Sequence, residues 1–163
     1  MNIATGDLIL PRVAHNWIGR LTQFVTRSPY VHAGLARWID GRLYIAELNG
    51  GRNHLTPISQ LTDYDVHEQP PGLVKVDEAI DRWLDAPIDY SYVAFVAVGI
   101  LDWFRLTTFV HWRRMLECAG WCVAAWESAG WPEHTRILSP ADLARLVPLK
   151  LEVRQTQPAS AGF

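Results

Sequence analysis

The residues of this chain that can do chemistry are two cysteines, six histidines and a glutamate set inside an apolar run. Both cysteines lie in Leu116-Glu117-Cys118-Ala119-Gly120-Trp121-Cys122-Val123-Ala124-Ala125-Trp126-Glu127-Ser128-Ala129-Gly130-Trp131. Apolar side chains recur there at helical spacing: Cys118, Trp121, Cys122, Ala125, Trp126 and Ala129. Gly130 and Pro132 close the helix, which runs about three turns with Cys118 at or near its first residue. A sulfur at a helix start meets unpaired backbone N–H groups and the positive end of the dipole. Both favour the thiolate, the nucleophilic form. The same N–H groups suit an oxyanion. Two cysteines in a helix also serve as small apolar core residues, so the rest of the site has to argue for chemistry.

A cysteine nucleophile needs a base, and the base needs a third group to orient it. His32 is flanked by Val31 and Ala33-Gly34-Leu35, an apolar strand in which an unpaired imidazole would be costly. Glu47 sits inside Leu43-Tyr44-Ile45-Ala46-Glu47-Leu48. Counted outward from Asp40-Gly41, His32 and Glu47 lie at similar distances, as cross-strand neighbours would. A carboxylate there fixes the imidazole tautomer and raises its basicity. Read singly, His32 equally suits a satisfied structural histidine and Glu47 a solvent-facing one. His54 and His67 stand in polar, turn-rich sequence and are expected at the surface. His15 falls on an earlier helix, and His111 and His134 flank the cysteine helix. Cys-x3-Cys has no matching His-x-x-His pair, so no metal is expected. A phosphate loop and a dinucleotide fingerprint are absent, so no cofactor is expected either.

The elements that must hold these residues follow in order. Gly6 to Pro11 reads as a strand, and Ala14 to Arg27 as an amphipathic helix. Tyr30 to Trp38 and Arg42 to Leu48 form a hairpin about Asp40-Gly41. Asn49-Gly50-Gly51 turns the chain into short strands at His54–Pro57 and Val66–Glu68. Val74 to Leu84 is a helix, and Asp89-Tyr90 falls in a loop. The apolar run Val93 to Leu101 continues through Trp103 and Phe104 toward Trp112. It is too short for the roughly 20 residues of a membrane-spanning helix. Ser139-Pro140-Ala141-Asp142 starts another helix, with serine as cap and proline at the first position. Leu149 to Val153 is a last strand, and residues 155–163 are a polar tail expected to be disordered. Strands dominate early and helices late, which argues an α+β domain over 1–154.

A chain of 163 residues, 49% hydrophobic and 20% charged, builds one domain with a core. A net charge of -2 gives no basis for non-specific nucleic-acid binding. Met1 to Asp7 lacks a basic segment followed by an apolar one, so no signal peptide is visible and a cytoplasmic location is expected. Eight tryptophans suit either a core or a surface that meets a lipid, a sugar or a partner.

The order of motifs resembles a family. Gly6-Asp7-Leu8-Ile9-Leu10 comes first, then Ser28-Pro29-Tyr30-Val31-His32-Ala33-Gly34-Leu35, then Tyr44-Ile45-Ala46-Glu47. Cys118 opens a helix ending Ser128-Ala129-Gly130, and Ser139-Pro140-Ala141-Asp142-Leu143 follows. This is similar to the circularly permuted NlpC/P60 papain-like cysteine hydrolases, the YiiX/YebB-like group. Lecithin retinol acyltransferase-like proteins are distant relatives. Asp89-Tyr90 resembles that group's small motif before the helices, and the likeness spans about residues 5 to 147. It implies a papain-like α+β fold, a small antiparallel sheet packed on helices. It implies Cys118 as nucleophile, His32 as base and Glu47 as third residue, with an oxyanion donor from the Cys118 backbone N–H. Tyr30 would supply a hydroxyl or line the substrate groove.

The implied activity is that of a thiol hydrolase or acyltransferase from a bacterium or phage. The substrate would be a small molecule, peptide or lipid: a peptidoglycan peptide amide, or an acyl ester or thioester. The apolar segment from Val93 tips the choice toward an apolar substrate and leaves peripheral membrane contact open. Where the family has a serine and then an acidic or amide residue after the cysteine, this chain has Ala119-Gly120-Trp121. That departure supports the alternative, a catalytically inactive papain-like binding module. Trp121 before Cys122 also fits an aromatic preceding the nucleophile, but the distance to Ala129-Gly130 favours Cys118.

Overall fold

The computed structural model describes residues 2–14, 20, 23–24, 27–87, 118–133 and 139–154. Among the described residues, six strands and three helices have their bounds defined, in the order β1 (Leu8–Pro11), β2 (Gly34–Ile39), β3 (Arg42–Asn49), β4 (Arg52–Pro57), β5 (Tyr64–His67), α1 (Val76–Asp85), α2 (Cys118–Ser128), α3 (Pro140–Leu146) and β6 (Leu149–Val153). A 3-10 turn at Ile58–Gln60 separates β4 from β5. The strands form one antiparallel sheet in the order β4-β3-β2-β1-β5-β6, so the fold is α+β. Arg20, Gln23 and Phe24 are helical, as expected for 14–27. The rest of that helix is mostly outside the described residues. The apolar run Val93 to Leu101 with Trp103, Phe104 and Trp112, the Asp89-Tyr90 motif, His15, His111, His134 and the tail 155–163 are wholly outside them.

Two turns fix the meander β2-β3-β4. Asp40 and Gly41 have φ of 48° and 74°, and Gly50 and Gly51 have 58° and 80°. Paired positive φ values match the twist of the flanking strands, and glycine adopts them without steric cost. The resulting register pairs Leu35 with Ala46 and Ala46 with Leu55.

The pleat then sorts the side chains. Leu8, Leu10, Leu35, Ala46 and Leu48 face one side and pack with Ile80, Trp121, Cys122, Ala125, Trp126 and Leu143. Ile9, Ala36, Ile45, Tyr64 and Val66 form a second cluster on the other face. β1 is central and buried on both faces, which is why Leu8-Ile9-Leu10 is continuously apolar rather than alternating.

α2 lies against the first face. Trp121, Cys122, Ala125 and Trp126 are fully buried as the helical spacing predicts, and Ala119 and Val123 are buried as well. The helix is therefore covered on more than one side. Gly130, at φ 103°, ends it, and the Trp131 N–H returns to the Trp126 carbonyl at 2.9 Å. Trp126 donates its indole N–H to the Gly6 carbonyl at 3.0 Å and meets the Trp131 ring edge-on. α1 braces α2 from outside: Trp83 donates to the Ser128 hydroxyl at 2.9 Å, and the Val74 N–H reaches the Ala129 carbonyl at 2.8 Å.

Candidate active site

Cys118 is the first described residue of α2, partly exposed, and packs at the margin of the first core cluster. Cys122, one turn on, is buried, and neither cysteine is in a disulfide. The helix thus presents one sulfur outward and carries the other into the core.

His32 differs from the sequence reading in one respect. β2 begins at Gly34, so His32 precedes the strand instead of lying within it. Extending the ladder one step beyond Leu35↔Ala46 sets Gly34 level with Glu47, and His32 two residues beyond that. The two residues therefore meet diagonally across β2 and β3, not directly opposite. The diagonal is short enough for long side chains. His32 Nε2 stands 2.7 Å from Glu47 Oε2. The contact is an ion pair at close range when the imidazole is protonated.

Gly34 lets β2 and the Ile45 side chain of β3 pack closely beside this pair. A Cβ there would sit 2.4 Å from Ile45 Cγ1 and 2.8 Å from the Ala46 carbonyl oxygen. The side chain of His32 is 18% exposed and that of Glu47 7% exposed, so the ring keeps a small opening to solvent while the carboxylate is nearly closed off.

Glu47 shares its face with Ile45 of the second cluster, whereas Cys118 packs with the first. His32, placed just before the strand, interacts with both. Burial pushes the His32 pKa down. The charge and hydrogen bond of Cys118 and then those of Glu47 together outweigh it, and the pKa is raised from 6.5 to about 10. Burial pushes the Glu47 carboxyl up. The His32 hydrogen bond and charge, then the Thr56 hydroxyl and the charge of His54, bring it below its ordinary 4.5.

Two of these neighbours were missed in the sequence. Thr56 donates its hydroxyl to Glu47 Oε1 at 2.5 Å, and His54 is directly opposite Glu47 in the β3–β4 ladder. The signal was the turn at Asn49-Gly50-Gly51, which puts His54 level with Glu47 and Thr56 on the same face.

Tyr30 is held elsewhere. Its hydroxyl donates to Asp65 Oδ2 at 2.6 Å, and the Arg12 guanidinium lies over its ring at 5.6 Å. Burial and Asp65 raise its pKa to about 12 despite Arg12, so the hydroxyl keeps its proton at neutral pH. His67, expected at the surface, is 3% exposed. β5 is an inner strand between β1 and β6, and the pleat turns His67 inward opposite Leu8. Its Nδ1 pairs with the Val147 carbonyl at 2.9 Å, and its ring meets Tyr30 edge-on. Among the described residues, no group of three or more His, Cys, Asp or Glu side chains is placed to hold a metal ion. No helix among them is long and apolar enough to cross a membrane.

No family model and no curated protein matches the chain. Its structure is similar to the crystal structure of metalloprotein yiiX from Escherichia coli O157:H7, DUF1105. The TM-score is 0.57 at 20% identity, over 96% of this chain and 91% of that one. The fold is YiiX-like. At that identity the likeness concerns the path of the chain, so the chemistry has to be argued from the side chains above.

Proposed function

We propose that this protein is a thiol hydrolase or acyltransferase of papain-like design. The observation that carries the reading is His32 Nε2 at 2.7 Å from Glu47 Oε2, with the charge of Cys118 raising the pKa of the same imidazole. With Nε2 turned to the carboxylate, Nδ1 is the nitrogen left for the sulfur. An imidazolium at that position is the partner a thiolate nucleophile requires. Cys118 Sγ adds to the substrate carbonyl carbon. The bond to the leaving nitrogen, oxygen or sulfur breaks, and that atom departs with a proton from His32. Water or an acceptor hydroxyl then attacks the thioester, gives its proton back to His32 and frees the sulfur. Glu47 holds the ring and balances its charge throughout. The small opening at His32 and the apolar surround of Cys118 suit an acyl ester, acyl thioester or peptide amide.

The yiiX protein is a metalloprotein, which raises a metal for this chain as well. The side chains here do not fit one. His32 Nε2, the nitrogen a metal would need beside Glu47, is already at ion-pair distance from that carboxylate, and no third ligand stands with them among the described residues. No step of the proposed reaction runs through a metal.

The test offers peptidoglycan fragments and long-chain acyl esters side by side to the intact protein. Cys118→Ala is expected to abolish turnover with the fold retained. Glu47→Gln should keep part of it, because an amide still orients the ring. In the same preparations, iodoacetamide followed by peptide mass mapping should label Cys118 ahead of Cys122, and His32→Ala should slow that labelling. Labelling of Cys122 first, or indifference to His32, would move the inactive binding module ahead.

A further inference from the structure

We infer that Thr56 is a positioning residue of this site, fixing the Glu47 carboxylate so that one oxygen is committed to His32. The inference rests on the thiol-site reading and adds a fourth member to it. The two carboxylate oxygens are divided between two partners: Oε1 accepts from the Thr56 hydroxyl at 2.5 Å and Oε2 meets His32 Nε2 at 2.7 Å.

The sheet register explains why the two partners pull from opposite directions. Thr56 is level with Ile45, two residues to one side of Glu47 along β3. His32 falls two residues to the other side. The carboxylate spans the diagonal between them. A glutamate has three rotatable side-chain bonds, and a single ion pair leaves its plane free to turn. A second anchor on the other oxygen removes that freedom.

The strand supplies the anchor at small cost. A β-branched threonine is a good strand residue, and in β4 the Thr56 side chain is only partly exposed. His54 stands opposite Glu47 on the same strand and is exposed, so it is a neighbouring charge and not a tether. The titratable groups that face the carboxylate among the described residues are therefore His32, from the segment before β2, and His54, from β4. Cys118 acts on it through His32.

The experiment needs no substrate. The second-order rate of Cys118 alkylation by iodoacetamide is read by mass mapping across pH on the full chain and four variants: Thr56→Val, Thr56→Ser, Glu47→Ala and the double Thr56→Val/Glu47→Ala. Circular dichroism and thermal melting confirm that each is folded. Thr56→Val keeps the branched shape and loses only the donor. It should slow Cys118 labelling near neutral pH by about three- to tenfold, the size of one net hydrogen bond. Thr56→Ser should restore the wild-type rate and pH profile. In the Glu47→Ala background Thr56→Val should add nothing, because Thr56 acts only through that carboxylate. An equal drop in both backgrounds, a serine that fails to rescue, or a Thr56→Val profile identical to wild type would overturn the proposal. His32→Ala separates this from the parent reading. If it slows labelling while Thr56→Val does not, only the role of Thr56 falls. If it changes nothing, the thiol site itself is wrong.

Discussion

His32 and Glu47 are each costly alone in their surroundings and acceptable together. An ionised carboxylate with 7% of its surface exposed, unpaired, would lower stability by several kcal/mol. The shifts in the pair set a pH window. A raised histidine pKa means that the folded state holds the proton more tightly than the unfolded chain. That stabilisation is complete below the ordinary 6.5 and is lost as pH rises through about 10. A lowered carboxyl pKa acts in the other direction. Its contribution is complete above the ordinary 4.5 and is lost as pH falls through the depressed folded value. Between 4.5 and 6.5 both are fully present. The melting-temperature difference between wild type and His32→Ala should therefore be largest in that interval and shrink toward pH 10. A difference that stays constant from pH 5 to about 10 would mean that the ion pair contributes nothing, whatever its geometry.

Elements were more legible than contacts. The hairpin about Asp40-Gly41, the strand at Leu149–Val153 and the helix ending at Gly130 could be read because turn glycines and apolar periodicity are local signals. The start of β2 was not legible, since nothing local in Val31-His32-Ala33 distinguishes a strand from the segment leading into one. The missed burial of His67 has the same origin. Its polar neighbours suggest the surface, and only the long-range insertion of β5 between β1 and β6 turns it inward. α3 is the element whose start could be read most directly. Ser139 accepts from the Asp142 N–H, the Asp142 carboxylate accepts from the Ser139 N–H at 3.0 Å, and Pro140 occupies the first turn. This reciprocal pair satisfies two donors that a helix start leaves open. Ser139→Ala should lower stability by about 1 kcal/mol. The measurement is a urea titration at neutral pH, and since α3 is remote in sequence from β2 and β3, the Cys118 labelling rate should not move. A loss of labelling equal to that in His32→Ala would show that α3 has a direct part in the site.

At the scale of the molecule, the sheet is closed off by charge as well as by its two apolar clusters. Asp65, with a side chain 2% exposed, sits on β5 and accepts from the Tyr30 hydroxyl at 2.6 Å. It also pairs with Arg12, which follows β1, and with Arg154 beyond β6 at 3.1 Å. Three separate stretches of chain thus converge on one carboxylate. Arg154 extends the network to Asp63 at 3.3 Å and Glu152 at 2.8 Å. A second hub repeats the pattern: buried Asp7 takes Lys150 at 2.8 Å, the Ala4 N–H at 2.8 Å and the Gln69 N–H at 3.2 Å. Both hubs tie β6 or its end back to the centre of the sheet, where β1 and β5 lie. A buried pair adds little over a well-packed apolar substitute, yet removing one partner strands the other. Asp65→Ala leaves Arg12, 15% exposed, without its nearest carboxylate and frees the Tyr30 hydroxyl. The loss should be about 3–5 kcal/mol, far above that of an exposed pair such as Lys75–Glu78. Arg12→Met in the Asp65→Leu background removes both charges and should recover much of that loss. Chemical denaturation of the single and double variants decides it. If the double variant is as unstable as the sum of the singles, the network stabilises through each contact separately, and charge compensation is not what holds this side of the sheet together.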